Sequence, residues 1–531
     1  MKERVIGLIG NDGKSLFADT FHAFCADVIR NNAQALGYEP NFSIYDKAEC
    51  DEIQKEVLQS LKYKIPLTRI ADWRAGKTER MLPIDLKQAH RAFKEYEYRL
   101  KRNNAFDFDG LIYTAKSAIW GRPEISRSLR ERYTHIFVDE FQDTDGNQWD
   151  IVSGIEPDNL FVVGDDHQSI YGFRGSEVDI ILRLAQSKNF QVIRLEQNYR
   201  STVPIVAAAN ALIRHNKQTE KKLVTDVQGV PIKYRAPPND TAEITEILDK
   251  LTACLESGKT AAILARTNRQ INMAREILAS KGIPCETSAM AGNPFASGAA
   301  KFLLAWLTAA NNPSDDAAMR KIALTWCSKK TMHDAELKQL TGGGTLLDAL
   351  RKTERCADDG FWRIHHSLSE MCLAARGALE AIALTLNVFP HFEKSDFVSL
   401  AHNWHIRQAE LGETATLADF LEWVRLSNVA EKPIRTRDPC KVQLMTVHGS
   451  KGLEFDHVYV IGMAQGVFPG RGDLEEERRL FYVAMTRARE YLNLSGPKMM
   501  TGWNGRAEPV QESQFIAEAG LNKKGVQHDT G

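Results

Sequence analysis

Two adjacent carboxylates, Asp139 and Glu140, follow directly after an apolar run that ends at Val138. The first could hold Mg²⁺, usually through water, because Mg²⁺ keeps much of its hydration shell. The second could orient and deprotonate a water molecule for attack on a phosphate. The next apolar run, Asn159–Val163, is also followed by acids, beginning at Asp165. The repeated pattern indicates two strands that bring acidic side chains to one phosphoryl-transfer site.

Two arginines stand in contexts that suit the same chemistry. Arg200 follows a strand-like run, and Arg487 lies in a helical segment that begins with the acidic residues Glu475–Glu477. Isolated arginines are usually surface residues. A phosphoryl-transfer site, however, needs one or two guanidinium groups to neutralise the charge that develops on the transferred phosphate. Both arginines are therefore candidates for that role.

Alternating strands and helices must position these groups. Short apolar runs bounded by polar loops predict strands of a parallel sheet, whose ligands lie at the carboxyl ends of the strands. The runs are Tyr133–Val138, Asn159–Val163, Gln191–Leu195, Ala261–Ala265, Val442–Thr446 and His457–Ile461. The predicted fold class is therefore α/β with parallel sheets.

Two other stretches have helical periodicity. Residues 61–104 hold twelve Lys/Arg against five Asp/Glu, with aromatic residues interleaved. Such a stretch could neutralise nucleic-acid phosphates and stack on bases, or it could be a solvated helical face. Residues 285–435 are also helical in pattern, as in the i, i+3, i+4, i+7 spacing of apolar residues that starts at Leu417. The second stretch is predicted to be a helical insertion between strands of an α/β unit.

Composition excludes several classes of protein. The 531 residues carry 68 Lys+Arg against 69 Asp+Glu, a formal net charge of -1, and 43% are hydrophobic. Those values exclude a disordered chain, a collagen-like fibre and a uniformly basic coat protein. No uninterrupted apolar stretch reaches about 18 residues, so no membrane span is expected. The eight cysteines form no CxxC pair, which favours reduced thiols in a cytoplasmic protein.

Eight ordered motifs give the chain a resemblance to a known family. It resembles the superfamily 1 DNA helicases of the UvrD/Rep/PcrA type across nearly its whole length. The matching segments are TFH at 20–22, FDFDGLI at 106–112, VDEFQD at 138–143, GDDHQSIYGFRGS at 164–176, QNYRST at 197–202, ARTN at 265–268, MTVHGSKGLEF at 445–455 and EEERRLFYVAMTRARE at 475–490. The resemblance implies ATP-driven movement along single-stranded DNA in the 3′ to 5′ direction.

The resemblance also assigns nucleotide-site roles to individual residues. It implies that Asp139 coordinates Mg²⁺ through water and that Glu140 is the catalytic base. Gln168 would sense the γ-phosphate of ATP and couple it to DNA. Arg200 and Arg487 match the family's arginine fingers. The residues expected to bind ATP and its metal are Asp139, Glu454 (at the sugar), Arg200 and Arg487.

Other matched positions line the family's single-stranded DNA path. They are Thr20, His22, Tyr171, Phe173, Arg174, Thr446 and His448. An aromatic residue at position 171 or 173 suits such a path, since every base offers a face for stacking. The expected partners are therefore single-stranded DNA and duplex junctions, and no membrane.

The chain departs from the family at the phosphate-binding loop, GxxxxGK[ST]. This loop cradles phosphates with its backbone N–H groups and a lysine. GK[ST] occurs at residues 13–15, 76–78 and 258–260, but Leu8, Ala71 and Ala253 stand where the leading glycine belongs. By the family order, the loop and its strand would lie upstream of Met1, through a truncation or a start codon assigned too late. We therefore expect an N-terminally incomplete first domain, very poor ATP hydrolysis and no unwinding by the chain as it stands.

The resemblance implies two RecA-like parallel-sheet domains, each with a mainly helical insertion. The first domain would comprise residues 1–29 and 106–205, with a basic insertion at 30–105. The second domain would comprise residues 206–284 and 436–500, with an insertion at 285–435. Residues 501–531 would form a C-terminal tail. Two other interpretations stay open. One is a non-enzymatic DNA-binding or partner-binding remnant of a helicase. The other is a nuclease–helicase subunit. The sequence has no nuclease-like acidic cluster after Arg489, which counts against that interpretation.

Overall fold

The chain forms two compact units, each built from separate stretches. The structure, a computed structural model, describes residues 7–8, 16–74, 81–172, 176–217, 219, 221–287, 298–342, 344–353, 361–362, 365–366, 370, 404, 416–427, 441–501 and 507–521. The first unit comprises residues 1–131, 150–156 and 292–433, and the second residues 132–149, 157–291 and 434–531. No helix in the described part of the chain is long and apolar enough to cross a membrane. The predicted domain boundaries stay a prediction.

The first unit is mainly helical. Its helices are Phe21–Asn31, Ala33–Leu36, Lys47–Ser60, Leu67–Arg74, Pro83–Arg102, Phe108–Gly121, Gly298–Asn311, Asp316–Trp326, Lys329–Gly342, Leu346–Arg351 and Leu417–Ser427. The helices Pro123–Arg132 and Gly146–Ile155 have residues in both units. Strands β1 (Ser43–Ile44) and β2 (Ala105–Phe106) pair in parallel. Side-chain caps fix several helix starts, as where Asp46 and Glu49 form a capping box.

The long basic helix Pro83–Arg102 keeps most of its aromatic rings inside the first unit. Its buried positions are Ala89, Ala92, Phe93, Tyr96 and Leu100, a spacing that places them on one helical face. Phe93 is 8% exposed and Tyr96 is 0% exposed. These two rings belong to the core, so they are not available for stacking on bases.

Buried charges connect the two helical stretches of the first unit. Glu49, which is 4% exposed, accepts hydrogen bonds from Lys321 Nζ at 2.6 Å and from Arg425 Nη2 at 2.9 Å. Burial alone would raise the pKa of Glu49, but Arg425 and Lys321 outweigh burial and lower it. The Tyr45 hydroxyl donates to Asp315 Oδ1 at 2.8 Å. Removing one partner of such a buried pair would leave an uncompensated charge.

The second unit begins with two short parallel strands. β3 (His135–Val138) pairs with β4 (Asn159–Val162) in register, as the sequence predicts. The prediction of a strand at Gln191–Leu195 is wrong, because that segment has no strand pairing and its side chains are exposed. An apolar run forms a strand only where a neighbouring strand accepts its backbone hydrogen bonds, and no such neighbour lies in the described residues.

A six-stranded parallel sheet forms the core of the second unit. Its strands are β5 (Lys233–Arg235), β6 (Ala261–Ala265), β7 (Cys285–Thr287), β8 (Val442–Thr446), β9 (Phe455–Val460) and β10 (Ala488–Ser495), in the spatial order β5-β10-β9-β6-β8-β7. Every residue of β6 is buried, as expected for a parallel strand covered on both faces. An antiparallel pair, β11 (Met499–Thr501) and β12 (Ala507–Pro509), follows.

Helices and short 3₁₀ turns complete the second unit. The helices are Val178–Gln186, Val203–Ile213, Asp240–Thr245, Leu248–Glu256, Asn268–Ser280, Leu474–Thr486 and Gln514–Glu518. The 3₁₀ turns are Phe141–Asp143, Asp166–Gln168 and His448–Ser450. Each of these turns lies shortly after a strand (β3, β4 or β8), so residues that lack regular structure gather at the carboxyl ends of strands.

A buried acid makes the stability of the second unit sensitive to pH. Glu243 is 1% exposed and accepts the N–H of Gly462 at 2.9 Å. Burial raises the pKa of Glu243 to about 7. Because the folded pKa lies above the ordinary value of about 4.3, the protonated acid favours folding. Its contribution is fully present below the unfolded pKa and is lost as pH rises through 7.

We therefore expect Glu243→Gln to flatten the dependence of stability on pH. Between about pH 5 and pH 8 the wild-type chain should lose about 2–3 kcal/mol of unfolding free energy through this residue. The neutral amide of the variant keeps an oxygen that can accept from Gly462 and has no proton to lose. Urea denaturation at both pH values measures the difference. An equal loss of stability in the two proteins would contradict the assignment.

Candidate functional site

Strand β3 ends beside the two carboxylates that the sequence singles out. Asp139 and Glu140 are both exposed. Asp139 Oδ1 accepts the N–H of Glu140 at 2.9 Å, and Glu140 Oε2 accepts a hydrogen bond from Gln142 Nε2 at 2.5 Å. Glu140 has φ 50, a left-handed conformation that is uncommon for a residue with a side chain and that tends to occur at functional sites.

The carboxylates fit a magnesium ion better than a metal held by protein alone. In the described part of the chain, no group of three or more His, Cys, Asp or Glu side chains is placed to hold a metal. Mg²⁺ commonly uses one or two carboxylates and completes its coordination with water and phosphate oxygens. The exposed oxygens of Asp139 suit that mode of binding.

The turn after β4 positions Gln168. Asp165 Oδ1 accepts the N–H of His167 at 3.0 Å, and Asp165 Oδ2 accepts from Gln168 Nε2 at 2.7 Å. Gln142 Oε1, from the turn after β3, accepts the N–H of Asp165 at 2.9 Å. The two acidic turns are therefore joined by side-chain hydrogen bonds, because parallel neighbours end at the same edge of a sheet.

The helix Leu474–Thr486 brings Arg487 to the same place. Its acidic first turn suits the positive end of the helix dipole, and Arg487 lies at its C-terminal cap. Arg487 is 1% exposed and donates to the carbonyl of Leu453 at 3.0 Å and to Gln168 Oε1 at 3.4 Å. Burial and the neighbouring cation Arg200 lower the pKa of Arg487 to about 10, so the guanidinium stays charged at neutral pH.

A tight turn orients Arg200. Asn198 Oδ1 accepts the N–H groups of Arg200 and Ser201 at 2.9 and 2.8 Å, as asparagine often does in turns. Arg200 Nε donates to Glu454 Oε2 at 2.7 Å, and Arg200 Nη1 donates to the carbonyl of Thr486 at 3.4 Å. The predicted arginine fingers and the predicted sugar-contacting residue therefore lie together in the second unit.

An open pocket of about 400 Å³ lies beside this ion pair. It is lined by Gln197, Asn198, Tyr199, Arg200, Glu454 and Arg489. The Tyr199 side chain is 85% exposed. An exposed aromatic ring next to a guanidinium and a carboxylate can stack on a flat heterocycle while the charged groups bind its polar substituents. The pocket thus has the chemistry of a nucleotide site.

The residues predicted to line a DNA path lie in both units. In the first unit, Thr20 caps the helix Phe21–Asn31 by accepting the N–H of Ala23 at 3.3 Å. The ring of His22 lies edge-on to Phe108, with 5.4 Å between ring centroids.

In the second unit, the ring centroids of Tyr171 and His448 are 6.4 Å apart. Thr446 is the last residue of β8. These three residues lie near one another, at the end of β8 and after the turn that holds Gln168. Phe173 and Arg174 lie outside the described residues.

Comparison with known proteins decides the family. Residues 1–189 match the UvrD/REP helicase N-terminal domain, and residues 193–373 and 394–498 match the UvrD-like helicase C-terminal domain. The chain belongs to the UvrD/REP helicase family. The resemblance found in the sequence motifs is thereby confirmed.

Curated relatives of this UvrD-type helicase cover almost all of the chain. It is 31% identical to the ATP-dependent DNA helicase UvrD1 of Mycobacterium tuberculosis (strain ATCC 25618 / H37Rv), over 98% of this chain and 77% of that protein. It is 30% identical to the ATP-dependent DNA helicase Rep of Escherichia coli (strain K12), over 98% of this chain and 85% of Rep. The ATP-dependent DNA helicase PcrA of Bacillus subtilis (strain 168) is 29% identical, over 98% of this chain and 77% of PcrA.

Sequence reasoning missed one cation at the centre of this UvrD-type site. Lys451 is 8% exposed, and its Nζ donates to Asp143 Oδ2 at 2.5 Å and to the carbonyl of Gln168 at 3.0 Å. It also lies 3.7 Å from Glu140 Oε2 and 5.1 Å from the centroid of the Tyr171 ring. Lys451 lies within the family motif MTVHGSKGLEF, and its place in that motif was the signal that could have identified it as a site residue. Tyr199 was missed in the same way within QNYRST.

The GK[ST] triplet at residues 258–260 lies directly before a strand. Gly258 has φ +73 and precedes β6 rather than a helix. Thr260 is bonded through both its N–H and its hydroxyl to Asp456 Oδ2, at 2.9 and 2.8 Å, and Lys259 Nζ donates to Glu490 at 2.5 Å. The groups that a phosphate would need are thus engaged by carboxylates. The triplets at 13–15 and 76–78 lie outside the described residues.

Proposed function

We propose that the second unit carries the hydrolytic residues of an ATP-driven translocase that moves 3′ to 5′ along single-stranded DNA. The observation that carries the proposal is the convergence of Gln168, Arg487, Arg200 and Glu454 on one cluster beside the nucleotide-sized pocket. Arg487 and Arg200 would neutralise charge on the transferred phosphate. Gln168, which contacts Arg487 and belongs to the segment that ends near Tyr171, would link the nucleotide to DNA.

The carboxylates after β3 would supply the remaining chemistry. Asp139 would hold Mg²⁺ through water, and the ion would bridge and neutralise phosphate oxygens when bound. Glu140 would accept a proton from the attacking water, because it is exposed and already oriented by Gln142. The Arg487 guanidinium is already oriented before ATP binds, because its buried hydrogen bonds hold it in place.

For the 531-residue chain by itself we propose weak or no hydrolysis, because its sequence contains no GxxxxGK[ST] loop. Without backbone N–H groups and a lysine around the β- and γ-phosphates, the carboxylates and arginines act on a poorly positioned substrate. The contacts of Thr260 and Lys259 with carboxylates support this proposal, because they engage the groups with which the third triplet would hold a phosphate.

The same observation favours a second candidate function. A chain that binds DNA or a protein partner without hydrolysing ATP would keep the fold and the DNA-lining residues but not the phosphate cradle. Single-strand binding together with undetectable DNA-stimulated ATP hydrolysis would favour this candidate. In either case we propose a cytoplasmic protein of DNA repair or related DNA metabolism that acts on single strands and duplex junctions.

DNA binding provides a direct test of the proposed path. We expect the chain to bind a fluorescent oligothymidine with an affinity that falls steeply as salt rises, because binding releases counterions from phosphates. His448→Ala and Phe173→Ala should each weaken binding, the latter by about 1–3 kcal/mol if a base stacks on the ring. Fluorescence anisotropy at several salt concentrations measures both effects.

His215→Ala is a matched control for this test, since His215 is exposed in the same unit and outside the matched DNA positions. It should leave the affinity unchanged. Binding that is indifferent to salt, or that neither His448→Ala nor Phe173→Ala weakens, would reject the proposed path.

A further inference from the structure

A loop outside every matched motif contacts the turn that holds Gln168. The loop follows the helix Val203–Ile213 and contains Thr219 and Lys221. Lys221 Nζ is hydrogen bonded to Asp165 Oδ1, and it lies 3.0 Å from Asp166 Oδ1. Thr219 donates to Asp166 through its N–H at 2.7 Å and through its hydroxyl at 3.0 Å. The loop therefore clamps both acids of the turn.

Asp165 connects this clamp to the nucleotide-reading residues. One carboxylate oxygen of Asp165 accepts a hydrogen bond from the Lys221 ammonium, and the other accepts one from Gln168 Nε2 at 2.7 Å. With its amide nitrogen held there, Gln168 turns its Oε1 toward Arg487 Nη2 at 3.4 Å. The chain of contacts thus runs from Lys221 through Asp165 and Gln168 to Arg487.

The ionisation of Asp165 and that of Lys221 depend on each other. Burial alone would raise the pKa of Asp165, but Lys221 and then His167 outweigh burial and lower it. Burial alone would lower the pKa of Lys221, but Asp165 and Asp166 outweigh burial and raise it. The Lys221 side chain is only 13% exposed. Without the ammonium, a carboxylate in these surroundings would be protonated more readily.

We propose that Lys221 is a positioning residue, which keeps the Asp165 carboxylate in place so that Asp165 fixes the Gln168 amide toward Arg487. This inference rests on the proposed function for its significance, since Gln168 matters there as the residue that reads the γ-phosphate. By this inference, the loop after the helix Val203–Ile213 determines how the Gln168 side chain is oriented toward Arg487.

The side-chain amide of Gln168 reports the geometry without any need for ATP hydrolysis. In the full 531-residue chain labelled with ¹⁵N-glutamine, the Gln168 amide signal is identified by its loss in Gln168→Glu. We expect its hydrogen exchange with water to be about tenfold faster in Lys221→Met, because a charge-assisted network that restrains it is lost. Lys221→Arg should restore slow exchange. Lys222→Met is the matched control, because Lys222 is the exposed neighbour.

The pH dependence of that signal separates positioning from a merely structural role. In the wild-type chain the signal should not change with Asp165 ionisation between about pH 5 and 8, because the lowered pKa keeps the carboxylate charged. In Lys221→Met it should change as the pH falls and Asp165 takes up a proton. The groups that face Asp165 are Lys221, His167, Asp166, Tyr482 and Arg487. The Lys222→Met control supplies the background change of the signal that is unrelated to Lys221.

Each outcome decides the proposal. A folded Lys221→Met whose Gln168 signal keeps wild-type exchange and pH behaviour would overturn it, as would an equal effect in Lys222→Met. Should Lys221→Met fail to fold, Lys221→Gln keeps a donor without the charge, and the same pH-dependent change is expected. The proposed hydrolysis is tested separately, in the same chain preceded by an apolar strand, a GxxxxGK[ST] loop and a helix. If that extended protein hydrolyses no ATP while the Lys221 variants show the expected Gln168 changes, only the proposed hydrolysis is refuted. If the extended protein is an active ATPase while the Gln168 signal is unaltered in the Lys221 variants, only the role of Lys221 is refuted.

Discussion

The purified 531-residue chain should hydrolyse ATP about 10³-fold or more slowly than an extended protein, in which an apolar strand, a GxxxxGK[ST] loop and a helix precede the same chain. Removal of even one preorganised hydrogen-bond donor can lower the rate of a reaction by about 10²–10³. The arginines and carboxylates of the second unit are in place in both proteins. Only the added loop supplies a cradle that positions the phosphates. Steady-state phosphate release with saturating single-stranded DNA measures the ratio.

A Gly-Lys-Thr to Gly-Ala-Thr change in the added loop is the control for this comparison, because it keeps the added strand and helix and removes only the cradle lysine. It should return the extended protein to the low rate. Robust DNA-stimulated hydrolysis by the 531-residue chain, abolished by Glu140→Gln, would contradict the prediction. It would mean that other residues of this chain form a phosphate site.

Glu140→Gln in the extended protein should lower kcat by about 10²–10⁴, the range that general-base catalysis contributes. The amide has almost the same shape and can still accept the hydrogen bond from Gln142, so the turn after β3 should keep its conformation. KM for ATP and the affinity for single-stranded DNA should change little, since Glu140 would act on the attacking water. Phosphate release and anisotropy measure the two effects separately.

Glu156→Gln provides a matched control for that substitution. Glu156 is another exposed glutamate with a left-handed backbone, at φ 52, so the same change there tests the effect of losing a charge at such a position. It should leave kcat unchanged. A Glu140→Gln protein with wild-type kcat would assign the base to another residue.

Local sequence determined the pieces of this site. The acids stand directly after the apolar runs that form β3 and β4, so their place at the ends of strands follows from the order of residues alone. The Asn198 turn that presents Arg200 uses hydrogen bonds between residues two and three apart. The helix ending before Arg487 is marked by its acidic first turn and apolar periodicity.

Only the tertiary structure decided which pieces meet. Gln168 and Arg487 are 319 residues apart in the chain, and Arg200 and Glu454 are 254 apart. Short-range patterns carry no information on such pairs, so their proximity was an implication of family resemblance until the fold placed them. Lys221 shows the same limit more strongly, since a lysine in a loop is usually solvated and only its buried contact with Asp165 supports the role that we propose for it.

The incorrect strand at Gln191–Leu195 has a related cause. Its apolar pattern satisfied the local requirement for a strand, but a strand also needs a neighbour that takes up its backbone hydrogen bonds. Ala261–Ala265 met both conditions, because β8 and β9 flank it and all five of its side chains are buried. Residue type therefore determined which segments could form strands, and pairing partners distant in the chain decided which of them did.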